Sequence, residues 1–299
     1  MKVFKDEKGE VRSGWKIFTL FLVEYLLLFL VGIIINSVII ASMSGNIING
    51  ELFISNYARD NIALIFMFSQ EIVLILTPIL SWKVLFKKDL SLIGLKALNK
   101  REVKNLILGL VMGIIAITLA FILILISKSG VLVNSLLEPR FSLSLVLYLI
   151  LFIFVGFAEE LLSRGYIIGA MEVSNNNKWF AVMVSAVIFS LMHYGNNGFS
   201  FIPFLNIFLV GILFGVMYIK TKSIWLSTGF HITWNFFQGC IYGMPVSGIT
   251  TPKLYEMTFV GNSILNGGTF GPEGGLIVTM VIILMLVSLV FLIKNKKIH

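Results

Sequence analysis

The sequence predicts an all-α polytopic membrane protein of about eight transmembrane helices, with its site between spans four, five and seven. Composition is the first ground: 58% of the 299 residues are hydrophobic and 13% charged, with a mean hydropathy of +0.96. A soluble domain of this length carries about a quarter charged residues. The second is that apolar runs long enough for a hydrocarbon core of about 30 Å recur along the chain. The third is charge alternation. With a cytoplasmic amino terminus, 17 of the 21 Lys and Arg that lie outside the spans fall on one side of an eight-span arrangement, as the positive-inside rule requires. Both termini are then expected in the cytosol.

Taken in order, a basic tail leads into span one, Ile17 to about Met43. That run is too long for a signal-peptide core and lacks a small-residue cleavage site. Residues 44–60 form a polar, Asn-rich loop. Span two, about Ile62–Leu85, holds Pro78, which should kink it. A basic connection through Lys87, Lys88, Lys96, Lys100, Arg101 and Lys104 precedes span three, about Leu106–Ile126. There Gly109 and Gly113 stand at the spacing that lets helices approach closely. Span four runs from Leu143 to about Met171, span five from Trp179 to Tyr194, span six from Ile202 to Ile219 and span seven from Ile224 to Ile241. A long Gly-, Asn- and Thr-rich loop, 242–275, leads to span eight, about Leu276–Ile293. The chain divides into three spans with a basic loop (1–142), a core bearing the polar motifs (143–241), and a loop with the last span (242–299).

Charge and cysteine content narrow the class further. The net charge of +8 sits in short loops between spans, so it reads as topology and lipid contact, with no nucleic-acid partner. One cysteine, Cys240, excludes an internal disulfide and a cysteine-based metal cluster.

Polar residues inside the spans carry the chemistry, because a charge within a bilayer costs several kcal/mol and is usually functional. The stretch FAEELLSR, Phe157–Arg164, holds Glu159 and Glu160 with Arg164 one turn after Glu160. On a helix Glu160 and Arg164 share a face, while Glu159 points about 100° away. One carboxylate is free to face something other than the arginine. Span five ends FSLMH, putting Phe189 and His193 on one face, and span seven contains HITWN, doing the same for His231 and Asn235. Each taken alone fits a packing residue, and the acid pair alone fits a polar knot between helices. Together they should converge in one cavity, since polar groups in lipid need one another. Glu24 and Glu71, on spans one and two, either line the same cavity or bond helix to helix, and the second is the expectation.

Several membrane chemistries are excluded by inspection. The three aspartates, Asp6, Asp60 and Asp89, lie outside the spans, so no aspartyl-protease dyad can form. HExxH, GxSG and a P-loop are absent. Carboxylate, imidazole and amide remain, a set suited to activating water and stabilising an oxyanion.

The order EExxxR (Glu159, Glu160, Arg164), FxxxH (Phe189, His193), HxxxN (His231, Asn235) resembles the CPBP, or Abi, intramembrane proteases. That family includes the type II CAAX prenyl endopeptidases and the bacteriocin-immunity proteins. The resemblance covers about residues 143–241. It implies an endopeptidase in a cell membrane, a bacterial one being the expected setting. The substrate would be a membrane-associated or prenylated peptide or protein, and the site would open to the cytosol. By motif position Glu159 would be the general base with His193 helping to activate water. His231 and Asn235 would form the oxyanion hole, and Glu160 with Arg164 an orienting ion pair. The expected mechanism needs no cofactor. Zinc held by Glu159, Glu160, His193 and His231 is the alternative, although Asn235 is a poor zinc ligand and a good oxyanion donor. A non-catalytic immunity or scaffold protein of the same fold has no need of all six polar residues. A proton-coupled transporter is opposed by the lack of an internal repeat.

Overall fold

The computed structural model describes residues 3–5, 9–43, 47–48, 51–52 and 56–295. Asp6, part of the 44–60 loop and the basic carboxyl tail from residue 296 lie outside the described residues. The chain divides into two compact units, residues 1–89 and 90–299.

The first unit pairs α1 (Ser13–Met43) with α2 (Asn56–Ser81), with a two-residue hairpin of β1 (Ile47–Ile48) and β2 (Glu51–Leu52) in the connection. Pro78 lies inside α2, which passes into a π-helical turn at Trp82–Phe86 and stops at Lys87 in a left-handed conformation, φ 54°. Thr77 Oγ1 on α2 donates to Glu24 Oε2 on α1 at 3.3 Å, both side chains buried. This is the helix-to-helix bond expected of Glu24. Glu71 is buried on α2 as well.

The second unit holds α3 (Lys100–Ile126), α4 (Leu143–Glu160), α5 (Gly169–Val173), α6 (Lys178–Leu191), α7 (Phe201–Thr221), α8 (Trp225–Phe236), α9 (Ser263–Asn266) and α10 (Leu276–Asn295). α4 and α5 are one rod, joined by a π-helical stretch, Leu161–Ile168; α8 likewise continues as a π-helical turn to Ile241. All eight expected spans are therefore helical. Five described helices are long and apolar enough to cross a membrane, at Ser13–Ser37, Ile62–Phe86, Lys100–Ile126, Leu143–Val173 and Phe201–Thr221. Lys178–Leu191 and Leu276–Leu289 are apolar but shorter. Helices start before their apolar runs where a polar residue caps them. Asn99 accepts the Arg101 and Glu102 amides, so α3 begins six residues ahead of its hydropathy signal.

Close packing of α3 on α8 sets the frame. A side chain on Gly109 would collide with the Leu226 carbonyl, and one on Gly113 with the Phe230 carbonyl and Thr233 Oγ1. Thr233 Oγ1 donates across this seam to the Leu110 carbonyl at 2.8 Å. At one end of the seam, Ser223 Oγ donates to the buried Glu102 carboxylate. α6 meets α7 at Gly211 and Gly215, which face Ala186 and Val182.

At the other end the loops fold back on the bundle. β3 (Gly130–Leu132) pairs antiparallel with β4 (Met257–Phe259), and Asn266 Nδ2 donates to the Ser129 carbonyl at 2.7 Å. Glu256 bridges Lys253 and Arg140 at 2.9 and 2.8 Å, and Lys253 first, then Arg140, hold its carboxyl below the usual carboxylate range. The loop expected from its Gly, Asn and Thr content is thus a packed element, with Met244, Asn266 and Phe270 buried.

Candidate active site

The site forms where α4 gives way to its π-helical continuation. π-helical turns are rare and concentrate at functional sites. Glu160 ends α4 and Arg164 sits in the π-helical stretch; Arg164 Nη1 donates to Glu160 Oε1 at 2.8 Å with both side chains fully buried. A buried guanidinium needs more than one partner. Its plane lies over the Phe189 ring of α6 at 4.2 Å and the Phe214 ring of α7 at 5.0 Å, so two π faces share the cation. Nη2 also reaches the Gly211 carbonyl at 3.5 Å.

α8 brings the imidazole. Gly156 on α4 leaves room for Ile232, and Phe157 stacks on Trp225 at 5.6 Å, its indole N–H fixed on the Lys96 carbonyl at 2.8 Å. His231 then falls between the two carboxylates: Nδ1 is 3.3 Å from Glu160 Oε1, and Nε2 is 3.8 Å from Glu159 Oε2. The first contact is a hydrogen bond; the second is longer than one. Because Glu160 is the partner of Arg164, its carboxylate can only accept, so Nδ1–H donates and Nε2 faces Glu159. The Phe189 and Phe214 rings flank His231 at 6.1 and 5.6 Å.

The adjacent acids therefore differ as their helical positions predict. Glu160 is fully buried and shared by Arg164 and His231, whereas the Glu159 side chain is 17% exposed. Glu159 Oε2, Glu160 Oε2, Arg164 Nε and Ser163 Oγ are buried without a hydrogen-bond partner. Such atoms are few in a folded protein, and four of them fall within residues 159–164.

Residues 141–237 match the family model for type II CAAX prenyl endopeptidase, Rce1-like. That match bears out the resemblance to the CPBP proteases and gives this segment the fold of a CAAX-type intramembrane protease. No curated protein matches the chain. The Rce1-like segment opens just before α4 and closes just after Asn235, so all six motif residues lie within it.

Within the Rce1-like segment, four of the six residues meet directly: Glu159, Glu160, Arg164 and His231. His193 stands apart. α6 ends at Leu191, and His193 occupies the turn beyond it, its Nδ1 2.9 Å from the Phe189 carbonyl and its ring edge-on to Phe189 at 5.1 Å. It shares Phe189 with His231, and among the described residues His231 is the one histidine within 4 Å of a carboxylate. Asn235 is buried one turn beyond His231 on α8. No three His, Cys, Asp or Glu side chains among the described residues form a set that could hold a metal ion. The zinc set Glu159, Glu160, His193, His231 is a poor fit, with Glu160 engaged by Arg164 and His193 by a backbone carbonyl. Phe214 and the Gly211 carbonyl, both against Arg164, escaped the sequence reading. Their only trace is a three-residue spacing inside an apolar run.

Proposed function

We propose that the chain is an intramembrane endopeptidase that hydrolyses a peptide bond in a membrane-associated or prenylated peptide or protein. The observation that carries this reading is the unequal pair of carboxylates. Arg164 and His231 immobilise Glu160, and Glu159 is left with a buried oxygen beside His231 Nε2. Glu159 takes a proton from water, whose oxygen attacks the scissile carbonyl, and the same carboxyl returns the proton to the leaving amine nitrogen. The Asn235 side-chain amide donates to the developing oxyanion. His231 joins it through Nε2–H when the ring carries a proton on each nitrogen. His193 has Nδ1 on the Phe189 carbonyl, which leaves Nε2 to accept from the attacking water. No step calls for a metal.

The test is comparative proteomics of membrane and secreted peptides from cells carrying the native chain or Glu159→Ala. A set of uncut precursors should accumulate in the variant. Identical peptide profiles would sink the reading. Elemental analysis of active, detergent-purified protein should find no stoichiometric zinc, and one zinc per chain would recast His193 and His231 as ligands.

We also infer that both termini face the cytosol, from the 17-to-4 distribution of the Lys and Arg outside the spans. Reporter fusions at His299 and within the 242–275 loop should give opposite sides. Equal readings would overturn the eight-span arrangement.

A further inference from the structure

The loop after α8 lies outside the Rce1-like segment and carries no motif, yet it reaches the site twice. Phe270 is fully buried and clusters with Phe189 and Ile207. Phe189 is the ring beneath the Arg164 guanidinium and between the two histidines, so Phe270 backs the wall on which the cation rests. Three residues on, the Glu273 carboxylate turns inward. Its Oε1 accepts from Trp234 Nε1 at 3.3 Å, and Trp234 is the residue before Asn235. Its Oε2 accepts from both the amide and the hydroxyl of Ser247, at 2.7 and 2.9 Å.

The surrounding backbone is shaped to hold this carboxylate. Ser247 adopts a left-handed conformation, φ 45°, which costs a serine about 1 kcal/mol or more and persists only where neighbours impose it. Gly271, at φ +100°, lies so close to the Pro245 carbonyl that any side chain there would collide. Asn206 on α7 donates to the Glu273 and Gly275 carbonyls at 2.7 and 3.0 Å, and Gly248 N donates to the Phe270 carbonyl at 2.7 Å. The 245–248 and 270–275 stretches are thus clamped to each other and to α7. Beside Ser247, Val246 packs on the fully buried Cys240.

We propose that residues 266–275 form a wall beside the Glu160, Arg164 and His231 cluster, with Glu273 a positioning residue that fixes Trp234 and thereby Asn235. The positioning role rests on the peptidase reading; the wall itself does not. Glu273 touches no reacting atom. It holds the α8 turn that presents the oxyanion donor, and it keeps the Val246–Ile249 turn packed on Cys240.

Two variants of the full chain in lipid nanodiscs test this. Glu273→Gln keeps the shape but turns one acceptor into a donor, so the bonds to Trp234 and Ser247 can no longer all form. Trp234→Phe removes the indole N–H and keeps the ring stacked on Phe230 at 5.8 Å. The first readout, labelling of Cys240 by a membrane-permeant maleimide, needs no substrate. The native chain should resist it, and Glu273→Gln should label about tenfold faster through local opening of the 246–249 turn. The second is kinetic: both variants should lose about tenfold or more in kcat with KM held within about twofold, since misplacement, and not lost binding, is at fault. Glu273→Asp should recover part of the kcat. A Cys240 as shielded in Glu273→Gln as in the native chain would overturn the wall. Faster labelling with full kcat would overturn the positioning role. If the chain proves to hydrolyse no peptide, the labelling result alone decides.

Discussion

Glu159→Ala is expected to abolish peptide hydrolysis while leaving a folded, inserted protein. The side chain is 17% exposed and lies no closer than 3.8 Å to His231 Nε2, so its removal leaves Glu160 and Arg164 joined at 2.8 Å. His231→Ala should be equally silent, because it removes the group between the two carboxylates. Residues that act as a unit give losses that do not add, so the double variant should be no worse than the poorer single one. His193→Ala should also lose activity. Asn235→Ala should be milder, since removing one oxyanion donor costs about 10²–10³ in rate, or roughly 3–4 kcal/mol. Turnover of a peptide substrate by purified variants, with thermal unfolding as the check on folding, measures the whole series. Appreciable turnover by Glu159→Ala would remove the general base from the mechanism.

Arg164→Ala should be the most damaging substitution for the site's architecture. The Glu160 carboxylate would remain fully buried with His231 as its one polar neighbour, and breaking a buried pair from one side costs about 3–5 kcal/mol. Both activity and thermal stability should fall. Arg164→Lys separates charge from shape. A lysine restores the positive charge, but an ammonium cannot lie flat over Phe189 and Phe214 while donating to Glu160 and reaching Gly211. Partial recovery of stability with poor recovery of turnover is the expected outcome. Full turnover in the lysine variant would mean that orientation of Glu160 by a planar fork is unimportant.

The motifs were legible because hydrocarbon leaves polar groups no alternative partner. Glu160 and Arg164 pair at the spacing their positions predict, and Gly109 and Gly113 bring α3 onto α8 as their small size implies. What stayed hidden depends on contacts between distant parts of the chain. His193 reads as the last turn of an apolar helix, but α6 closes at Leu191, with the Met192 amide on the Ile188 carbonyl, so the histidine falls in the turn beyond. Phe214 is one apolar residue among many until Arg164 is placed beneath it. The 242–275 stretch reads only as a long loop, because glycines that permit tight packing look the same in sequence as glycines that permit disorder.

The π-helical stretch at Leu161–Ile168 makes chain length, counted in single residues, part of the site. A turn closed by i→i+5 bonds accommodates one residue more than an α-helical turn. Gly165 and Gly169 sit against Ile93, where an added Cβ would come within 3.0 Å of its carbonyl and 2.9 Å of its Cγ2. Deleting one residue from Tyr166–Ile168 would let the stretch rewind as α-helix with Gly169 still facing Ile93, whereas the same deletion in a regular α-helix would swing everything beyond it by about 100°. Glu159, Glu160 and Arg164 would keep their spelling and spacing through such a deletion. An alignment would score the motif as intact across a gap that had removed the wide turn holding Arg164.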